Sequence, residues 1–401
     1  MIYIIDRFVN NQLHVLANAN TIKLLEIIFP EEQKKFIAEK NHSNYVSEIL
    51  ETVNGSVSYE PYENNEYGNG TIASSKRVFN RLKNDFVFFK ILFENIAKNN
   101  YRDWVFITHI YPASLPVLKI LKLLYPKIKV IITIHGEVEY IYYPKSKFNK
   151  LIGSLYSLSF KIKNKNLKYL FLTKVSKEIL VSDKILNENE ILAIELPTFS
   201  DYQLNENMKE LVNPLKIGHI GSSGKRKNIN IFYQLARNLH QDIENGKLNL
   251  YIVGSLENDI KEDINPLIID FVESKTGTSL PRELYNEKSQ DLDFSIVFYG
   301  PNDFILRSGA AFFDTIAFEK PIIALENRFF KSVSEVSGPI GYLCTNIEEM
   351  ENLIHDIASS PQKYSDNYLL FKKNMKLYKE SLKSEKIAED LKFQIGSFFN
   401  L

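Results

Sequence analysis

Cysteine is almost absent: Cys344 alone in 401 residues excludes an intramolecular disulfide or a thiolate metal cluster and fits a reducing compartment. Net charge is absent too, with 49 basic against 49 acidic side chains, so no whole-molecule field draws in nucleic acid and no nucleic-acid partner is expected. No run approaches the roughly 18 apolar residues of a spanning helix. The first residues, MIYIIDRF, reach an acid at Asp6 without a basic segment and a long apolar run, so no signal peptide is expected. A cytoplasmic protein follows, peripheral on the inner face of the plasma membrane at most. No His/Asp/Glu spacing resembles a metal site, and no Gly-x-Ser-x-Gly nucleophile signature occurs.

What is present is globular: 44% apolar and 24% charged residues. The length fits about two or three domains. Short apolar strands at 2–5, 104–108, 129–134 and 169–172 alternate with amphipathic helices at 76–97 and 114–124, the mark of a parallel sheet covered on both faces. The polar stretch 54–71 reads as a surface loop. A second series of strands (215–220, 248–253, 267–272, 294–298, 322–325) alternates with helices at 229–239, 309–318 and 347–358. Two doubly wound, Rossmann-like α/β domains are expected, 1–197 and 215–378, joined by a linker at 198–214 and facing a cleft. A final helical segment, 379–401, is expected to pack back on the first domain.

Ligands of open parallel sheets collect beyond the carboxyl ends of the strands. At one such end, Arg307-Ser308-Gly309-Ala310 opens a helix whose unpaired N–H groups and dipole suit an anion. Asp314, seven residues after Arg307, is expected on nearly the same face, where a carboxylate accepts hydrogen bonds from ribose hydroxyls. One more buried strand-helix-strand unit explains these residues equally well. After the strand at 215–220 comes Gly221-Ser222-Ser223-Gly224-Lys225-Arg226-Lys227. Small residues there admit a ligand to the backbone, and three cations at the positive end of a helix call for an anionic partner such as a diphosphate. Gly254-Ser255-Leu256 is a further small-residue turn at a strand end, where a base or ribose can lie.

In the first domain His109 and His135 end two strands. His109 reads as structural, whereas His135, followed by Gly136 and Glu137, reads as a catalytic candidate able to act as a base. Residues 140–177 hold nine lysines and no acid, interleaved with aromatic and aliphatic residues such as Phe148, Leu151 and Leu158. That composition fits an anionic membrane surface, and a solvated lysine-rich face fits it equally.

The order of motifs in the second domain resembles that of the GT-B glycosyltransferases, in particular the nucleotide-sugar-dependent, mostly retaining group that builds bacterial surface polysaccharides. Lys227 stands at that group's lysine, Ser222 replaces its arginine, and Val253-Gly254 and Glu283-Leu284-Tyr285 match its next two motifs. Its two glutamates are represented by Leu306 and Asp314, with Lys320-Pro321-Ile322-Ile323 as the following strand. His135-Gly136 and Ser176-Lys177 resemble first-domain positions.

The resemblance implies a GT-B fold and transfer of a sugar from a nucleoside diphosphate sugar to a glycan or lipid-linked acceptor, in bacterial surface polysaccharide synthesis. It implies a donor site of Gly221, Ser222, Lys225, Arg226, Lys227, Gly254, Tyr299, Arg307, Ser308, Gly309, Ala310 and Asp314, with His135 and Glu137 as catalytic residues. No cofactor and no metal are expected, because fixed cations and amides can meet the charge of the departing diphosphate. The alternatives are a nucleotide-sugar epimerase of the same architecture and, given Leu306 in place of the first glutamate, a catalytically silent partner subunit.

Overall fold

The structure, a computed structural model, describes residues 1–11, 14–50, 57–63, 74–197, 210–307 and 309–399. It divides into two compact units: Met1–Pro197 with Ser384–Leu401, and Thr198–Lys383.

The first unit runs β1 (Ile2–Asp6), α1 (Val15–Ile28), β2 (Lys34–Glu39), α2 (Lys40–Leu50), β3 (Val57–Tyr62), α3 (Ser74–Lys98), β4 (Trp104–His109), α4 (Ser114–Leu124), β5 (Val130–Ile134), α5 (Lys147–Lys161), β6 (Leu167–Phe171), α6 (Lys174–Ser182) and β7 (Ile191–Ala193). Its seven strands lie in the order β3-β2-β1-β4-β5-β6-β7, all parallel. Every residue of β4 and β5 is buried, which is why these strands read as unbroken apolar runs. The sheet edge is different. Val57–Tyr62 falls inside the stretch expected to be a loop, yet it pairs with β2; its polar, half-exposed sequence and its proline are those of an edge strand. Residues 54–56 and 64–71 of that stretch lie outside the described residues.

The second unit runs β8 (Leu215–Ser223), α7 (Ile229–Asn238), α8 (His240–Glu244), β9 (Leu248–Leu256), β10 (Ile268–Asp270), α9 (Arg282–Asp291), β11 (Phe294–Val297), α10 (Ala310–Ala317), β12 (Ile322–Leu325), α11 (Arg328–Ser337), β13 (Gly341–Cys344), α12 (Ile347–Ser359) and α13 (Ser365–Ser381). Its six parallel strands lie in the order β10-β9-β8-β11-β12-β13. Asparagine caps start two helices: Asn327 Oδ1 accepts from Phe330 N and Asn346 Oδ1 from Glu349 N, each at 2.9 Å. Residues 198–209 of the expected linker lie outside the described residues, and Leu211 is buried in the second unit's core.

The last helix, α14 (Ser384–Phe399), belongs to the first unit, where it packs on α1. It starts at Ser384 rather than at 379, because residues 379–381 complete α13.

Candidate functional site

In the second unit, β8 and β9 pair further than hydropathy predicts, to Ser223 and Leu256, with Gly221 opposite Gly254. The cause is backbone proximity. A Cβ on Gly254 would lie 2.1 Å from Gly221 O, and the two glycines have φ of +150° and +97°, conformations that favour glycine. Residues 221–223 are therefore strand, and Gly254-Ser255-Leu256 is strand rather than a turn.

The loop proper is Gly224, a single 3-10 turn at Lys225–Lys227, and Asn228 in the left-handed region at φ 57°. Asn228 Nδ2 donates to Phe298 O at 2.9 Å and to Asp303 Oδ2 at 3.0 Å, tying the turn to the end of β11. β8 and β11 are the strands between which the winding reverses, where ligands of such sheets gather.

The three cations of this turn differ. Lys225 and Arg226 are exposed, and the Lys225 N–H donates to both oxygens of Asp259 at 3.2 Å. Lys227 is only 7% exposed. Its Nζ curls over Gly221, 3.5 Å from the point where a Cβ would stand, and Ala311 Cβ of α10 lies 3.0 Å from the same point. Burial pushes the ammonium down to about 8, Arg226 adds to the drop, and Glu257 and Asp314 oppose it. Among the described residues none forms a hydrogen bond or ion pair with this ammonium.

Asp314 Oδ2 accepts a hydrogen bond of 2.7 Å from the Tyr285 hydroxyl, and Oδ1 lies 3.9 Å from the Arg282 guanidinium. Burial raises its carboxyl above the usual range, against the pull of Tyr285, Arg282 and Lys227. Arg282 escaped the sequence reading; its signal was its place one turn before Tyr285, which sets both side chains on one face of α9.

Two expectations need correction. α10 begins at Ala310 with Gly309 as its N-cap, so Arg307 is not helical and the two-turn spacing does not align it with Asp314; its guanidinium lies 5.9 Å from the Phe304 ring. Tyr299 is no surface for a donor: its ring is buried between Phe304 at 3.8 Å and Phe330 at 5.9 Å, beneath Gly309. Leu306, at the first glutamate position, is 3% exposed and belongs to the core. Ser308 and the side chain of Ala310 lie outside the described residues.

In the first unit the winding reverses between β1 and β4. Asp6, at the end of β1, accepts from Phe8 N and Val9 N at 2.9 Å and from Asn18 Nδ2 at 2.7 Å. His135 Nε2 donates to Thr108 O at 2.7 Å, which leaves Nδ1 as the ring nitrogen outside that bond. His109, read from sequence as structural, stacks on His135 at 3.9 Å, and His14 stands edge-on to both at 5.2 Å. His14, at φ 56° ahead of α1, was not foreseen. Glu137 keeps Oε2 buried without a hydrogen-bond partner among the described residues.

Several lysines of the basic stretch serve the fold. Lys163 pairs with Glu190 at 2.7 Å, Lys174 with Asp390 at 2.9 Å and Lys177 with Glu188 at 3.2 Å, and Lys168 donates to Asn189 O. Along α5, Phe148, Leu151 and Leu158 are more than half exposed, beside exposed Lys147, Lys150 and Lys161. α5 packs on α4, which exposes Ile120, Leu123 and Leu124.

No protein-family model matches the sequence, and the comparison with curated proteins finds no match. Solved structures match it closely in extent and weakly in sequence. The N-terminal domain of Candida albicans trehalose-6-phosphate phosphatase superposes with a TM-score of 0.57 at 9% identity, over 100% of this chain and 96% of that one. Arabidopsis thaliana UGT89C1, complexed with UDP-L-rhamnose, gives 0.54 at 9% over 99% and 98%. A UDP-N-acetylglucosamine 2-epimerase gives 0.52 at 11% over 100% and 96%. The chain has the two-domain α/β GT-B fold, built on open parallel sheets of seven and six strands.

Proposed function

We propose that the protein is a glycosyltransferase that moves a sugar from a nucleoside diphosphate sugar to a glycan or lipid-linked acceptor. The observation that carries this reading is Lys227: a buried ammonium, held over Gly221 at the strand reversal beside the start of α10, with no hydrogen-bond or ion-pair partner among the described residues. Burying a charge unpaired is costly, so the arrangement calls for an anion. A diphosphate fits, because the first N–H groups of α10 and the exposed Arg226 supply further positive charge nearby.

In this reading the bond between the sugar's anomeric carbon and the diphosphate breaks, and its electron pair leaves on the phosphate. Lys227, Arg226 and the Gly309 and Ala310 amides meet that charge, so the departure needs no metal. Ser308 keeps its expected part there. Asp314, with one oxygen held by Tyr285, turns the other to a ribose hydroxyl. An acceptor hydroxyl bonds to the anomeric carbon and passes its proton to His135 Nδ1 or to solvent, with Glu137 beside it.

A lipid-linked acceptor is supported by the apolar stripe of α5 and its lysines, which suit an anionic bilayer surface. Bacterial surface polysaccharide synthesis is the setting this implies. The test is incubation with a panel of nucleoside diphosphate sugars, with and without glycan and polyprenyl-phosphate-linked acceptors. Acceptor-dependent release of nucleotide supports the transferase. Donor epimerised without acceptor assigns the epimerase, and neither binding nor turnover assigns the silent subunit.

A further inference from the structure

The histidine cluster of the first unit has a chemistry that sugar transfer does not use. His14, His109 and His135 each offer a ring nitrogen, and the three nitrogens lie within 4.8 Å of one another. They come from separate elements: the residue before α1, the end of β4, and the residue after β5. Of the three rings, only His135 has a hydrogen-bond partner among the described residues, and His109 Nδ1 is buried with none.

We propose that His14, His109 and His135 form a binding site for a divalent transition metal of the zinc class. Three imidazoles are the donor set that borderline cations such as Zn2+ prefer over Mg2+ or Ca2+. The bond from His135 Nε2–H to Thr108 O is the carbonyl support that fixes a ligating histidine and directs its Nδ1 at the ion. Asp6 Oδ2 accepts from Thr108 Oγ1 at 3.2 Å and from Asn18 Nδ2 at 2.7 Å, bracing the same strand end. Because an ion must lie in the plane of each ring it binds, the stack of His109 on His135 opens as the metal enters. Three protein ligands leave a fourth position for water or an acceptor hydroxyl. His135 Nδ1 is also the atom the transfer reading gives to the acceptor, so a bound ion would take the place of that base, would polarise an acceptor hydroxyl in its fourth position, and the hydroxyl proton would pass to solvent. The site itself concerns the first unit alone and does not depend on which donor the second unit takes.

The experiment uses the full chain, stripped with a chelator and titrated with Zn2+ against a competing dye, and with Co2+ followed by visible absorption. Binding is read without any sugar substrate, so its failure is distinct from failure of the transferase reading. The expected result is one equivalent of metal, a tetrahedral Co2+ spectrum, and roughly a hundredfold or greater loss of affinity in each of His14→Asn, His109→Asn and His135→Asn. His240→Asn, an exposed histidine of α8, should keep wild-type affinity. Each variant's far-UV circular dichroism is compared with wild type, and the Co2+ spectrum of the wild type stands whether or not a variant folds. Binding no tighter than that of surface histidines, or one equivalent retained in all three variants, overturns the proposal.

Discussion

The Tyr285 hydroxyl donates to Asp314 across 2.7 Å, so one carboxylate oxygen is committed before any ligand arrives. The remaining oxygen, with Arg282 at 3.9 Å, is the one left for a ribose. Asp314→Asn should therefore weaken binding of a ribonucleoside diphosphate roughly tenfold, the size of a charge-assisted hydrogen bond, and of its 2′,3′-dideoxy counterpart much less. Tyr285→Phe should show a smaller loss with the same preference. Calorimetric titration of both ligands decides it, and equal losses would mean that Asp314 serves the α9–α10 contact instead.

The depressed basicity of Lys227 gives nucleotide binding a pH dependence. The free protein loses this proton near pH 8, whereas a bound diphosphate holds it on. The nucleotide's own phosphate charge is complete above about pH 7. Affinity should be level around pH 7 and fall as pH rises through 8 to 9, approaching about tenfold per unit. Lys227→Arg, which keeps its charge, should flatten the curve between pH 7 and 9. A flat wild-type curve would separate Lys227 from the ligand.

Glu195 should weaken the first unit at neutral pH and above. Its Oε1 accepts from Lys174 N at 3.0 Å, while Oε2 is buried without a hydrogen-bond partner among the described residues. Burial raises the carboxyl to about 7, against the bond from Lys174. The native state thus favours the protonated acid. That stabilisation is complete below the unfolded pKa, erodes as pH rises from about 4.5, and is gone above about 7. Glu195→Gln should then raise stability by about 2 kcal/mol at pH 8 and by little at pH 4.5. Urea melts of the two proteins at those pH values measure the difference.

Membrane contact is best tested on α5 rather than across the whole basic stretch, since Lys163 and Lys168 are held by Glu190 and Asn189 O. Changing Lys147, Lys150 and Lys161 together to Gln should release the protein from anionic vesicles, at about 1 kcal/mol per lysine, and the attraction should fade with salt. Nucleotide binding should not change. A wild type that does not co-sediment with anionic vesicles at low salt would make this face an ordinary solvated one.

Much of the fold was legible in the sequence because central parallel strands are buried on both faces and read as apolar runs, as at Trp104–His109 and Val130–Ile134. The edge was not: β3 buries so little that its sequence looks like a loop. In the second unit the small and basic residues marked the turn at Lys225–Lys227, yet the expected extents of β8 and β9 stopped short, because the pairing of Gly221 with Gly254 depends on two backbones meeting, which no local pattern shows. Local pattern likewise could not show that Lys227 is buried while its neighbours are exposed, nor that three histidines distant in sequence converge. The aromatic stack that takes Tyr299 out of solvent is another long-range contact, with Phe330 supplied by α11.

The most direct test of the account is a thermal-shift panel of ribonucleoside diphosphates on wild type and Lys227→Ala. A ligand that binds only the native state raises the melting temperature by mass action. At least one diphosphate should raise that of the wild type saturably, with affinity weakened tenfold or more in the variant. Without ligand the variant should melt no lower than wild type, because it loses a buried charge that has no hydrogen-bond or ion-pair partner among the described residues. No shift with any diphosphate, or equal shifts in the two proteins, would contradict the assignment of Lys227 to a nucleotide diphosphate.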